Sequence, residues 1–271
     1  MLLVYRNVLL VLMGWILLGC VAPQWQPTTG GEVAPRSSLK RVGYLVNVQA
    51  NPTHTHIGTT ALTNFTKTYP FAWNVPQYME QQLATHLQQI GGVEAVNLRT
   101  QGLLPHEING LLKQVNGVWM VASGKAEVYN KLTQRLGLSA VVIVNQAQKR
   151  AFKDCGMLGC KEITVKGYGV LSQSFINTNN FYSATPFFAH IYTLKPLGSL
   201  DRYLTKINQD SDMTLVASSV GSKVKPNKIG FLYPERFNEW TEKEFRPFLA
   251  PVQLYIQRMS ELIATVIRDW L

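Results

Sequence analysis

Residues 138–144 read Leu-Ser-Ala-Val-Val-Ile-Val. A run this apolar and this rich in β-branched residues predicts a strand with no solvent-facing side. Such a strand needs cover on both faces, which commits the chain to a layered α/β arrangement. Residues 41–48, Arg-Val-Gly-Tyr-Leu-Val-Asn-Val, predict a first buried strand. Val75, Met79, Leu83, Leu87 and Ile90 then mark one face of a helix. Asn74 is placed to cap it, with Pro76 in its first turn, Gln77 at the capping-box position and Gly91-Gly92 after its end. A short strand at 93–98 and a helix over 124–136, capped by Ser123 and stopped by Gly137, complete the approach to the 138–144 strand. The order strand, helix, strand, helix, strand predicts a parallel or mixed sheet with right-handed crossovers.

The intervening and later segments carry weaker patterns. Residues 51–56, Asn-Pro-Thr-His-Thr-His, read as a turn, and 58–69 as a Thr-rich hairpin or exposed strand. A short helix is expected after Pro105, with Ile108, Leu111, Leu112 and Val115 on one side. Residues 163–175 and 187–194 predict two further antiparallel strands, joined through a turn at 177–180. A helical turn is expected over 200–207 and an edge strand over 214–220. Thr241-Glu242-Lys243-Glu244 is a capping box. Val252, Tyr255, Ile256, Met259, Leu262, Ile263, Val266, Ile267 and Trp270 form the stripe of a long amphipathic helix, with Pro247 and Pro251 disturbing the path into it. The expected fold class is α/β: a two- or three-layer mixed sheet with flanking helices and a long C-terminal amphipathic helix.

The N-terminus has a different character. One cation, Arg6, precedes an uncharged apolar run over 8–18, which ends in Leu17-Leu18-Gly19-Cys20. The run is shorter than the ~20 residues of a membrane span and reads as a secretory signal peptide. Leu-x-Gly-Cys resembles the bacterial lipobox. The resemblance implies cleavage before Cys20 and acylation of its sulfur and its new amino group. Val21 is not the aspartate of inner-membrane retention, so the same resemblance implies the outer membrane, facing the periplasm. The division is then a signal peptide at 1–19, lipidated Cys20 with a Pro- and Gly-bearing tether over 20–39, and one α/β domain over 40–271.

The remaining cysteines, Cys155 and Cys160, flank Gly-Met-Leu-Gly. In an oxidising compartment this pair predicts a disulfide; half a metal site or a redox pair are the alternatives, although redox motifs space their cysteines by two residues.

The net charge of +10 suits anionic partners: lipopolysaccharide phosphates, lipid head groups, acidic polysaccharide or an acidic protein. Lys223, Lys225 and Lys228, in a Ser-containing loop, are candidate contacts. Export excludes nucleic acid as a partner; an envelope protein or polysaccharide is expected, and self-association is compatible with this reading.

The element order, with a helix ending in Leu136-Gly137 before the Val-rich strand, resembles the periplasmic domain of curli-secretion-channel lipoproteins. It also resembles the TolB N-terminal domain and the lipoprotein activators of peptidoglycan synthase. The chain further resembles proteobacterial lipoproteins that share its Thr-His-Thr-His-x-Gly-Thr-Thr stretch, a likeness that implies no activity. The first resemblances imply an α/β domain that serves assembly, export or scaffolding. The two long amphipathic hairpins of the channel-forming members are not visible in this sequence.

Little points to catalysis. Gly-x-Ser-x-Gly does not occur, and Gly167-Tyr168-Gly169 suggests close packing or a bulge. Asp210 and Asp212 sit in a polar turn. A non-enzymatic binding or scaffolding role without a cofactor is expected. The alternatives are a metal- or ligand-binding sensor using His54 and His56, and a cell-wall hydrolase. In an extended segment those two imidazoles share one face, ~6–7 Å apart. Trp73, Trp119, Trp240, Tyr44, Tyr69 and Tyr168 are either core residues or a carbohydrate-stacking surface.

Overall fold

A computed structural model describes residues 41–156, 159–175, 178–208, 236 and 238–270. At its centre is the strand that the apolar run predicts, β7 (Ala140–Gln146). It pairs in parallel with β1 (Arg41–Asn47), which pairs in parallel with β4 (Glu94–Asn97). On its other side β7 pairs antiparallel with β12 (Phe187–Leu194), which carries β13 (Leu197–Ser199) at the edge. Side chains of β7 alternate between two cores. Val142 and Val144 enter one, Val141 and Ile143 the other, which is why β7 has no polar position before Asn145.

Two helices cover the first core. α1 (Val75–Gln89) buries Val75, Met79, Leu83 and Leu87. Asn74 does not cap it through its side chain; it adopts φ 51°, the left-handed conformation that asparagine tolerates, and turns the chain into the helix. The C-terminal segment enters through α5 (Glu242–Phe245), where the Thr241 amide and hydroxyl donate to Glu244 Oε2 at 2.5 and 2.9 Å. A 3-10 turn over Arg246–Phe248 holds Pro247, and α6 (Leu249–Trp270) follows with Pro251 in its first turn, where no internal amide bond is lost. The predicted stripe faces inward: Val252, Tyr255, Ile256, Met259, Ile263, Val266 and Ile267 are buried, and Leu262 and Trp270 pack at the margin. At ~1.5–3 kcal/mol per buried large apolar side chain, this face is a main term in holding the domain together.

The second core lies under a smaller cap. α2 (Pro105–Ile108) is a single turn. Leu111, Leu112 and Val115 do not continue it. Leu112–Val115 is a strand, β5, paired with β6 (Val118–Val121) around Asn116-Gly117, whose φ values of 51° and 82° are those of a type I′ turn. α3 (Ala126–Asn130) has Lys125 rather than Ser123 at its N-cap and widens into a π turn over Lys131–Arg135 before Gly137.

The His-containing segment is not a turn. Thr53–Ile57 is β2, which pairs antiparallel with β3 (Phe65–Thr68) and in parallel with β10 (Gly169–Phe175). β11 (Thr178–Ala184) completes this second sheet, so Asn179 and Asn180 lie in a strand rather than in a linker. The expected single strand over 163–175 is broken at Lys166-Gly167-Tyr168. Its first part belongs to β9 (Gly159–Val165), hairpin partner of β8 (Lys149–Gly156); its second part is β10. Residues 201–208 form a 3-10 turn (Asp201–Leu204) and α4 (Thr205–Asn208), as the 200–207 pattern predicts. The edge strand expected at 214–220 lies outside the described residues. The described residues all belong to one contact unit, and no helix among them is long and apolar enough to cross a membrane.

Candidate functional site

Alternation along β2 sends His54 and His56 to the same face. The parallel register sets Val170 beside His54 and Ser172 beside His56, so Ser172 faces the same side from β10. Its hydroxyl lies 2.6 Å from His54 Nε2 and 2.7 Å from His56 Nδ1, and the two rings have centroids 6.0 Å apart. A hydroxyl carries one proton. It can therefore donate to one imidazole while accepting from the N–H of the other, which ties the two tautomers together. Ser172 and His54 are fully buried and His56 is 5% exposed. A nucleophile must reach its substrate; Ser172 instead bridges β2 to β10. As a metal pair the histidines supply two ligands of a usual four, and among the described residues no group of three or more His, Cys, Asp or Glu surrounds them.

Aromatic rings close over this cluster. Trp240 and Phe65 lie 4.6 and 5.0 Å from the His54 ring, and Phe65 stacks on His56 at 5.1 Å. Phe245 is the hub, 4.8 Å from Tyr69, 5.1 Å from Phe71, 5.7 Å from Trp73 and 5.2 Å from Trp240. Burial lowers the pKa of His56 below the ordinary imidazole value. The unfolded chain then takes up a proton near pH ~6.5 that the folded chain resists. Stability from this group is complete above that pH and falls as pH drops through it toward the depressed folded value. Urea midpoints measured at pH 7.5 and 5.5 are expected to decline for the wild type, and the decline should be smaller for His56→Gln.

Beside the cluster, between the β2–β3 edge and β9, is a cleft of about 290 Å³. Thr55, Asn64, Thr66 and Thr164 give it hydroxyls and an amide, and Ile57, Phe65 and His56 complete its wall with Lys166. Lys166 is exposed and has no acidic partner among the described residues, whereas neighbouring Glu162 is bound by Arg150 at 2.9 Å. The cleft thus presents one uncompensated cation among neutral hydrogen-bonding groups.

Other expected site residues fall as follows. The β8–β9 register places Cys155 directly opposite Cys160; opposed antiparallel residues have Cα atoms ~4.5–5.5 Å apart, inside the range a disulfide spans. The close packing expected at Gly167-Tyr168-Gly169 is present: a Cβ on Gly167 would lie 2.1 Å from Thr53 Oγ1. Trp73, Trp240, Tyr44, Tyr69 and Tyr168 are buried, and Trp119 packs on the second core, so these rings form no stacking surface. Cys20, Asp210, Asp212, Lys223, Lys225 and Lys228 lie outside the described residues.

Ser172, Lys166 and the threonines of the cleft were not singled out from sequence, because no local pattern links β2 to strands more than a hundred residues away. A further pair, His190 and Asp201, also escaped notice: His190 Nδ1 and Asp201 Oδ2 are 2.7 Å apart, and Asp201 Oδ1 accepts from the Ile191 amide at 3.0 Å. Comparison with protein-family models, with curated proteins and with solved structures gave no match.

Proposed function

We propose that this chain is an outer-membrane lipoprotein whose α/β domain binds, without catalysis, an anionic component of the envelope. The phosphate groups of lipopolysaccharide are the favoured ligand. The carrying observation is the cleft: the Lys166 cation, with no acidic partner among the described residues, set among the hydroxyls of Thr55, Thr66 and Thr164 and the Asn64 amide. Hydroxyl and amide donors around one cation suit phosphate oxygens, whose charge-assisted bonds are the stronger kind. The basic net charge of +10 acts in the same direction at longer range. The lipobox-like Leu17-Leu18-Gly19-Cys20 supports attachment; with ~0.8 kcal/mol per buried CH₂, two or more acyl chains anchor stably. The opposed Cys155 and Cys160 suit a disulfide formed on export. Resemblance to assembly and scaffolding lipoproteins fits the same role.

Mass spectrometry of the mature chain from membranes tests attachment. We expect an acylated N-terminal Cys20 and a 155–160 bridge, with Cys20→Ser left in the soluble fraction. An unmodified Cys20 in mature protein would refute the anchor.

A second reading, a metal-responsive sensor, is favoured by the proximity of His54 and His56. Zinc titration followed by histidine ring resonances separates the two: shifts at His54 and His56 with displacement of the Ser172 contact support the sensor, and unchanged rings remove it.

A further inference from the structure

The connection between β2 and β3 is short and tied at its base. The Gly58 amide donates to Asn64 Oδ1 at 2.8 Å. Inside the loop the Thr63 hydroxyl and amide both donate to the Thr60 carbonyl, at 2.8 and 3.1 Å. Gly58 packs so closely that an added Cβ would lie 1.8 Å from Thr63 Oγ1. The loop carries a 3-10 turn, Ala61–Thr63, in which Leu62 is 96% exposed, more than any other large apolar side chain among the described residues.

A single exposed leucine is ordinary on a protein surface. Leu62 differs in what stands beside it. Ile57 and Asn64, which flank the loop, both line the cleft that contains Lys166. Leu62 is two residues from Asn64, within ~7 Å of it along the chain. Ile57 and Phe65 add two half-buried apolar side chains to the cleft wall. The rim is therefore amphipathic. An apolar edge of Leu62, Ile57 and Phe65 adjoins one cation and a set of hydroxyls.

Charge on this sheet has one sign. Neither its four strands nor the β2–β3 loop contains Asp or Glu, and no acidic residue occurs between positions 42 and 79. Lys67 on β3 is exposed and adds a second cation to that of Lys166. The neighbouring carboxylate on β9, Glu162, is bound by Arg150 at 2.9 Å. A surface of this kind attracts anionic head groups and sets no carboxylate of its own against them.

We infer that this rim docks on an anionic phospholipid bilayer: the cleft takes the phosphate of one lipid, and Leu62 enters the acyl layer beside it. A phospholipid carries its phosphate a few bonds from its first methylenes, and the rim sets a cation and hydroxyls next to apolar side chains in the same way. The inference rests on the cleft being an anion site and adds the bilayer as the source of the anion. An extended tether over 20–39 spans up to ~70 Å, so an anchor at Cys20 lets the rim reach the same membrane.

The test reads contact at the loop itself, which anchoring through acyl chains does not supply. The full chain is mixed with vesicles of phosphatidylcholine alone or with phosphatidylglycerol added, each containing phosphatidylcholine brominated on its acyl chains. Quenching beyond that of the unsubstituted chain is followed in Leu62→Trp. Val118→Trp is the comparison, at a 65% exposed position of the β5–β6 hairpin. Phosphatidylglycerol should raise the quenching at position 62 several-fold and leave position 118 unchanged. Adding Lys166→Glu to Leu62→Trp should remove most of that quenching with the unfolding midpoint kept. Quenching at 62 that is absent, that is indifferent to phosphatidylglycerol or that survives Lys166→Glu overturns the inference. Stronger quenching at 118 also overturns it, by assigning the membrane contact to the hairpin. Lipopolysaccharide binding that depends on Lys166, without quenching at 62, would keep the cleft as an anion site and remove only the bilayer. Indifference to Lys166→Glu in both measurements would remove the cleft as well.

Discussion

Gly169→Val is expected to destabilise the domain by roughly 2–6 kcal/mol, the sum of backbone strain and overpacking. Gly169 opens β10 at φ 134°, a conformation that L side chains rarely adopt. A Cβ there would lie 2.5 Å from the Thr53 carbonyl oxygen and 2.9 Å from its nitrogen. Those are backbone atoms of the neighbouring strand, in a register where the Thr53 amide donates to the Tyr168 carbonyl at 2.7 Å. No rotamer change relieves such a contact, so β2 must move off β10, and His54 and His56 then lose Ser172. Denaturant midpoints measure the loss. Gly102→Ala is the control, since Gly102 has φ 69° and nothing within 4 Å of its added Cβ. That variant should cost about 1 kcal/mol. Equal costs for the two substitutions would show that contact with β2 does not decide the effect.

Phe245→Ala should cost about 3–5 kcal/mol, the usual range for a buried aromatic truncated to alanine. Phe245 is fully buried, and its ring touches Tyr69, Phe71, Trp73 and Trp240 while lying 6.3 Å from His54. It is the point where α5 enters the groove beside the second sheet. The cavity should loosen Trp240 from the histidine cluster, so tryptophan emission should move to the red as the unfolding midpoint falls. Phe245→Leu fills part of the volume and should retain more of the stability. A loss below about 1 kcal/mol for the alanine variant would mean that the aromatic groove collapses freely around the missing ring.

The parts of this architecture legible in sequence are those whose burial leaves a period. β7 is enclosed by neighbours on both sides and by cores on both faces, so its residues up to Val144 could all be apolar. α6 presents one face to one core, and its stripe gave both its extent and its orientation. Legibility fails where polar side chains are buried against partners distant in sequence. β2 is Thr-His-Thr-His-Ile; with Asn51-Pro52 before it, polarity reads as a turn. The residue that makes the segment a strand is Ser172, 116 positions from His56. A different failure occurred at Asn116-Gly117. The dipeptide is a strong hairpin signal, yet the helical spacing of Ile108, Leu111, Leu112 and Val115 masked it, because β5 follows α2 with only a short break. Similarly, the β9–β10 break rests on Gly169, whose conformation is set by contact with Thr53 and not by its own neighbours.

The candidate cleft was legible only through His56. Its chemistry depends on Lys166 and the threonines of three strands, which come together once the β8–β9 hairpin folds over the outer face of the second sheet. The decisive measurement is binding of the full chain to purified lipopolysaccharide over a range of salt, for wild type and Lys166→Glu. Binding should be salt-sensitive and should weaken roughly tenfold or more in the variant, the value of one charge-assisted contact. Wild-type binding that is absent, or that is equal in the two proteins at every salt concentration, would contradict the proposed role of the cleft.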